Sequence, residues 1–255
     1  MKIAIIIPAR LASTRLPNKL LLDLGGKSVL ERTYLSCQKS GIQDIFLAVD
    51  DEILEKEALK FAPKEAVFLT KKTHPSGSDR IYEVAQKIDF DAIVNVQADE
   101  PFVDPKLILD IAEALKQGSG MVSAKTPIKK TEEYFSPNCV KVVTDKDGKA
   151  LYFSRSPIPF CRDEFEALKN AWEKDKEMNI PQNISAFKHL GIYGYQKEVL
   201  KTFTETPSTD LEETEKLEQL RILSLGISIQ MIETAHSSLG IDTQEDYLRA
   251  KALSL

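Results

Sequence analysis

The stretch Lys2-Ile3-Ala4-Ile5-Ile6-Ile7-Pro8-Ala9-Arg10 decides the fold. Lys2–Ile7 is a continuous apolar run of β-branched residues, the pattern of a strand buried on both faces. Pro8-Ala9-Arg10 ends it abruptly and is too early to allow the apolar segment of a secretory leader. Outward from that strand the chain alternates. Ser28–Ser40 has helical spacing and stops at Gly41. Ile45–Val49 is a second strand, Glu52–Phe61 a helix closed by Pro63, and Ala66–Leu69 a short strand. Asp79–Ile88 is a helix, Ala92–Val96 a strand, and Pro105–Gln117 a helix with proline at its start. This alternation predicts an α/β fold, doubly wound on a mostly parallel sheet, with ligands at the carboxyl ends of the strands.

The second half changes character. Met121–Ile128, Val140–Thr144 and Ala150–Ser154 read as strands, the last two joined by the turn Asp145-Lys146-Asp147-Gly148. Arg162–Met178 is a charged surface helix or loop insertion, and Leu190–Tyr195 a strand. Glu212–Leu225 reads as one amphipathic helix ended by Gly226. Ile227–Ile232 is a strand, and Thr243–Leu253 a helix capped by Thr243 with Asp246 three residues on. The expected organisation is a single catalytic α/β domain over 1–255. Its nucleotide-binding part is about 1–120, its smaller part about 121–210, and 211–255 completes the sheet.

The 255 residues carry 34 Lys+Arg and 39 Asp+Glu, a net charge of 34 − 39 = −5. That balance disfavours non-specific nucleic-acid binding. No stretch approaches the ~18 apolar residues of a membrane span. Three cysteines, odd in number and widely spaced, argue against a disulfide framework or zinc site and favour a reducing cytoplasm. The average hides a pattern: residues 1–22 hold Lys2, Arg10, Arg15 and Lys19 and no acid.

Arg10, Arg15 and Lys19 lie in the loop after the first strand, where guanidinium forks and an ammonium suit a triphosphate; the plain alternative is a solvated loop. Gln97-Ala98-Asp99-Glu100-Pro101 follows the strand Ala92–Val96. Its carboxylates are hard-oxygen ligands for Mg²⁺ beside a triphosphate, or a turn chosen for backbone reasons. Asp242 precedes the last helix, as metal ligand or helix-start residue. Ser76-Gly77-Ser78 offers a hydroxyl and amides at a helix start, as ligand edge or plain cap. His189, alone at the start of a strand, is more often a satisfied structural residue than a catalyst. Gly25-Gly26-Lys27-Ser28 lacks the leading glycine of a P-loop, since Leu21 stands there. Gly191-Ile192-Tyr193-Gly194 lacks the third glycine of a dinucleotide fingerprint.

Together these segments resemble the nucleotide loops of sugar cytidylyltransferases. More specific are Val94–Pro101, Ala150–Pro159 (ALYFSRSPIP), His189–Tyr195, Leu217-Glu218-Gln219-Leu220-Arg221 and Gly240–Asp246. They resemble the 3-deoxy-manno-octulosonate (Kdo) cytidylyltransferase family, the CMP-Kdo synthetases, from residue 3 to about 250. Asn18 and Leu20 depart from the family's usual Gly and Pro, Ala98 from its common Gly, and Cys161–Phe187 is longer than typical.

The resemblance implies a nucleotide-diphospho-sugar transferase-like fold with a smaller sugar-binding and dimerising part. It implies a transferase joining CTP and an acidic 3-deoxy sugar into CMP-Kdo and pyrophosphate for lipopolysaccharide synthesis, in a cytoplasmic homodimer. Carried over residue by residue, Arg10, Arg15 and Lys19 hold the triphosphate, and Ala9, Ser76, Gly77 and Gln97 lie towards the nucleotide. Asp99 and Asp242 hold Mg²⁺ and count with the three cations as catalytic. Arg155, His189, Tyr193, Glu218 and Gln219 face the sugar, although Glu218 and Gln219 point about 100° apart on a helix. Other readings are a cytidylyltransferase for 8-amino-Kdo or sialic acid, a Mn²⁺-using nucleotide-sugar glycosyltransferase, and a catalytically dead nucleotide-binding or scaffold protein.

Overall fold

A computed structural model describes all residues of the chain except Gln182, Ser237, Ser238, Ser254 and Leu255. The chain divides into two compact units, 1–118 with 192–205 and 238–255, and 119–191 with 206–237.

The first unit is built on β1 (Ile3–Ala9), whose seven residues are all buried. It pairs in parallel with β2 (Ile45–Val49) on one side and β4 (Ala92–Asn95) on the other, and β2 pairs in parallel with β3 (Val67–Leu69). The free edge of β4 is taken by an antiparallel segment, residues 193–196 of β8 (Phe187–Gln196), with Asn95 opposite Tyr193. Around this sheet fold α1 (Val29–Gln38), α2 (Glu52–Ala58), α3 (Gly77–Ala85), α4 (Pro105–Lys116), α7 (Lys197–Glu205) and α10 (Gln244–Leu253). Each of the first four starts on a side-chain cap: Ser28, Asp51, Ser76 and Asp104. Gly194 lets α4 approach the sheet, because a Cβ there would lie 2.6 Å from Ile111 Cγ2. The alternating reading of residues 1–118 therefore stands, with β8 as the antiparallel exception. None of the described helices is long and apolar enough to cross a membrane.

In the second unit β5 (Met121–Pro127) pairs in parallel with β9 (Ile229–Glu233). The hairpin of β6 (Lys141–Thr144) and β7 (Ala150–Ser154) turns where Asp145–Gly148 predicts it, and Lys141 also pairs with Lys188 of β8. Short α5 (Thr131–Phe135), which the sequence reading leaves out, and α6 (Phe165–Lys174) close on a core of Ile128, Tyr134, Leu168, Ile180 and Ala186.

One expected element is corrected. Glu212–Leu225 is not one helix but two, α8 (Asp210–Glu215) and α9 (Gln219–Ser224). Lys216 between them is left-handed, at φ 53°, which ends α8. The capping box of Thr209 and Glu212 starts α8, and Glu212 also binds Arg221 of α9, its Oε2 accepting from Nε at 2.7 Å. That buried ion pair folds the two short helices against each other.

Candidate active site

In the first unit the loop after β4 and the loop before α10 are pinned together. The loop after β4 is held by α1: Thr33 Oγ1 donates to the Ala98 carbonyl at 2.8 Å, and Ser36 Oγ to that of Pro101 at 2.7 Å. The loop before α10 is joined to it by Ile241 N–H, which donates to the Asp99 carbonyl at 2.9 Å. Asp246 Oδ2 accepts from the backbone N–H of Asp242 and Thr243 and from Thr243 Oγ1. The helix-start chemistry thus belongs to Thr243 and Asp246, and the Asp242 carboxylate is left for the site.

That carboxylate meets the basic loop. Asn18 adopts a left-handed conformation at φ 54°, a single 3₁₀ turn follows over Lys19–Leu21, and Leu20 is buried. The turn delivers the Lys19 ammonium between two carboxylates, bonded to Asp99 Oδ2 and, at 2.7 Å, to Asp242 Oδ1. Arg15 Nη2 donates to Asp242 Oδ2 at 3.0 Å. Burial works to lower the Lys19 pKa, but the Asp99 and Asp242 carboxylates outweigh it and hold the ammonium above its ordinary value.

Glu100, the second acid of the loop after β4, differs from Asp99 in its environment. Burial, then the charges of Asp99 and Asp242, push its carboxyl up to about 8, so it is mostly protonated at neutral pH. Gly240 leaves room for it, since a Cβ there would lie 2.8 Å from Glu100 Oε1. A Gly240→Ala variant is expected to keep its fold and lose roughly tenfold in kcat, because the methyl must push Glu100 toward the site. Steady-state rates beside a melting curve check this.

The rest of the basic loop rests on a buried pair. Leu11 N–H donates to Asp50 Oδ1 at 2.8 Å, and Asp50 Oδ2 lies 3.5 Å from Arg80 Nη2. Arg80 also donates to Thr70 Oγ1 at 2.6 Å. Arg10 reaches the His74 carbonyl at 3.4 Å. A cavity of about 510 Å³ is lined by Arg10, Leu11, Ser13, Asn18, Asp51 and Lys72, among others. Ala9 is buried at the end of β1. Ser76 caps α3, accepting from Asp79 N–H and donating to Asp79 Oδ2, and Gly77 begins the helix. Gln97 donates weakly to Asn95 Oδ1 at 3.5 Å. Tyr193 stacks on Tyr195, ring centroids 5.9 Å apart.

The second unit holds Arg155, His189, Glu218 and Gln219. Arg155 Nε donates to the Glu215 carbonyl at 2.7 Å, Nη1 to that of Pro137 at 2.9 Å and Nη2 to that of Lys216 at 3.3 Å. Glu215 accepts from Ser154 Oγ and from the Arg155 N–H. His189 Nε2 is 2.8 Å from Ser123 Oγ, and its ring meets Phe153 edge-on. Burial pushes its imidazole down to about 3, so it is neutral. Glu218 is the half-buried N-cap of α9, and Gln219 is buried in its first turn.

Thus the fold gathers Arg15, Lys19, Asp99 and Asp242 into one constellation. Arg10, Ser76 and Gln97 have partners of their own outside it, and Arg155 and His189 are engaged separately in the second unit. Among the described residues no group of three or more His, Cys, Asp or Glu is placed to hold a metal. The Asp99 and Asp242 carboxylates do converge on a single positive charge, a hard-oxygen pair of the kind that binds Mg²⁺ with phosphate oxygens completing the shell.

The fold and the strand-end basic loop facing acids are those of a nucleotide-handling α/β protein, and similarity to known proteins gives the class. A family model described as cytidylyltransferase matches residues 4–229. The 3-deoxy-manno-octulosonate cytidylyltransferase of Geobacter metallireducens is 42% identical, covering 96% of this chain and 95% of its own. That of Marinomonas sp. is 41% identical, over 95% and 91%. The solved structure of CMP:2-keto-3-deoxy-manno-octonic acid synthetase complexed with CTP superposes with a TM-score of 0.87 at 33% identity, covering 99% of this chain and 98% of its own. The chain belongs to the 3-deoxy-manno-octulosonate cytidylyltransferase family.

Proposed function

We propose that the chain joins CTP to 3-deoxy-D-manno-octulosonate, giving CMP-Kdo and pyrophosphate. The observation that carries this reading is the Lys19 ammonium held between Asp99 and Asp242 with Arg15 alongside. The anomeric hydroxyl attacks the α-phosphorus in line, its proton passes to solvent water, and the bond to the bridging oxygen breaks as pyrophosphate leaves. Such transfers depend chiefly on positioning and on offsetting negative charge.

Arg10, Arg15 and Lys19 bind the triphosphate and offset charge growing on the departing pyrophosphate. Ala9, Ser76, Gly77 and Gln97 seat the nucleoside. Asp99 and Asp242 would hold Mg²⁺, which when bound polarises the α-phosphate and lowers the pKa of an attacking hydroxyl. Arg155 takes the sugar carboxylate, and Tyr193, Glu218 and Gln219 take its hydroxyls. The bonds found among the described residues use three of the five N–H donors of Arg155, leaving two for a bidentate carboxylate. His189, being neutral, offers the sugar a hydrogen bond and not a charge. The enzyme is further read as a cytoplasmic homodimer, which sedimentation at micromolar concentration tests directly.

Pyrophosphate release is the test of the reaction. With CTP and Mg²⁺ present, Kdo is expected to give rapid release, sialic acid little, and omission of sugar none. Faster release with sialic acid would overturn the substrate; release of a nucleoside diphosphate from a nucleotide sugar would overturn the reaction class.

A further inference from the structure

Lys141 opens β6 and is fully buried, yet among the described residues none of its hydrogen-bond partners is a carboxylate. Its three donors are instead matched by three backbone carbonyls: Cys139 and Arg155 at 2.6 Å each and Ser136 at 2.8 Å. Burying an ammonium carries a desolvation penalty that its hydrogen bonds must repay. A hydrophobic side chain of similar length would fill the volume without that cost. The three carbonyls point to what the charge does. One belongs to Arg155 itself. Another belongs to Ser136, the residue before Pro137, whose carbonyl receives Arg155 Nη1. The ammonium therefore fixes both the backbone that carries the guanidinium and the loop that orients it. Glu215 completes the frame from the other side, accepting from the Arg155 N–H at 2.9 Å while its carbonyl receives Arg155 Nε.

We propose that Lys141 is a positioning residue for the acidic sugar, presetting the Arg155 guanidinium through the Ser136, Cys139 and Arg155 carbonyls. The inference rests on the reading of Arg155 as the carboxylate-binding cation. It assigns the sugar's affinity, and not the nucleotide's, to a side chain that touches neither.

The experiment is a cycle of Lys141→Met and Arg155→Ala, followed by KM for Kdo, KM for CTP and kcat. Lys141→Met is expected to raise KM for Kdo about tenfold, with KM for CTP and kcat within twofold of the parent. In the Arg155→Ala background it is expected to add less than twofold. If Lys141→Met does not fold, Lys141→Gln replaces it in the same cycle. The amide keeps two N–H donors, and an approximately threefold rise is expected. An unchanged KM for Kdo in the folded Lys141 variant overturns the proposal, as does a rise that persists undiminished without Arg155 or falls equally on both substrates. If Arg155→Ala itself leaves KM for Kdo unchanged, the reading of Arg155 fails and the proposal with it. A rise with Arg155→Ala but none with Lys141→Met rejects the positioning role alone.

Discussion

Asp99→Asn is expected to lower kcat about 1000-fold while the protein stays folded. The amide is isosteric and still accepts a hydrogen bond from Lys19, so the change is one of charge. The loop is fixed through backbone atoms, by Thr33 on Ala98, Ser36 on Pro101 and Ile241 on Asp99, none of which the substitution touches. What is lost is half of the carboxylate pair proposed to hold Mg²⁺, and an electrostatic contact at the reacting centre is worth about 100- to 1000-fold. The upper end is expected because Asp242, at 47% side-chain exposure, is the more hydrated of the two and a weaker ligand alone, whereas Asp99 is 24% exposed. Turnover against Mg²⁺ concentration checks this: the variant should need far more metal and should not recover at saturation. Near-parental turnover would remove Asp99 from the metal's account.

Lys19→Met is expected to cost about 100-fold or more in kcat/KM for CTP, through loss of a cation offsetting the pyrophosphate charge. It carries a second signature in the absence of substrate. Lys19 is the charge that Asp99 and Asp242 share, and its side chain is 13% exposed. Without it two carboxylates face each other beside Glu100. Breaking a fully buried pair costs about 3–5 kcal/mol, and the exposure of Asp242 brings the expected loss to about 1–2 kcal/mol. If the pair also binds Mg²⁺, millimolar metal should restore much of the lost melting temperature in the variant and do less for the parent. A variant whose melting point ignores Mg²⁺ would separate the ion pair from the metal site.

Much of the first unit is legible in the sequence because its strands are buried on both faces. Ile3–Ile7 reads as an unbroken apolar run and Ala92–Val96 as one interrupted only by Asn95, and the helices between them begin on Ser or Asp caps. The helix break at Lys216 is not legible. No Gly or Pro marks it; only the Glu212–Arg221 pair and the left-handed backbone show where it lies. α5 is too short for periodicity to register.

For the site, the charges at strand ends identify Arg15, Lys19 and Asp99, since cations and acids at ligand-binding edges are a chemical pattern. Their partnership with Asp242 is another matter. Lys19 and Asp242 are 223 residues apart, and contacts such as the Ile241–Asp99 backbone bond bring the loop before α10 onto the loop after β4. Glu100 lies in the same motif, but its protonation comes first from burial, which no local pattern shows, and then from the charges of adjacent Asp99 and distant Asp242. Lys141 and Glu215 were hidden for a different reason: one sits in a strand and the other in an acidic run, and nothing local tells a buried ammonium from a solvated one.

The most direct test is a ³¹P NMR time course of the protein with CTP, Mg²⁺ and Kdo. The account predicts that the three CTP phosphorus signals fall together while one phosphodiester signal and pyrophosphate rise, with one pyrophosphate per phosphodiester. CTP signals that persist, or that decay to CDP and inorganic phosphate with no phosphodiester, would contradict it.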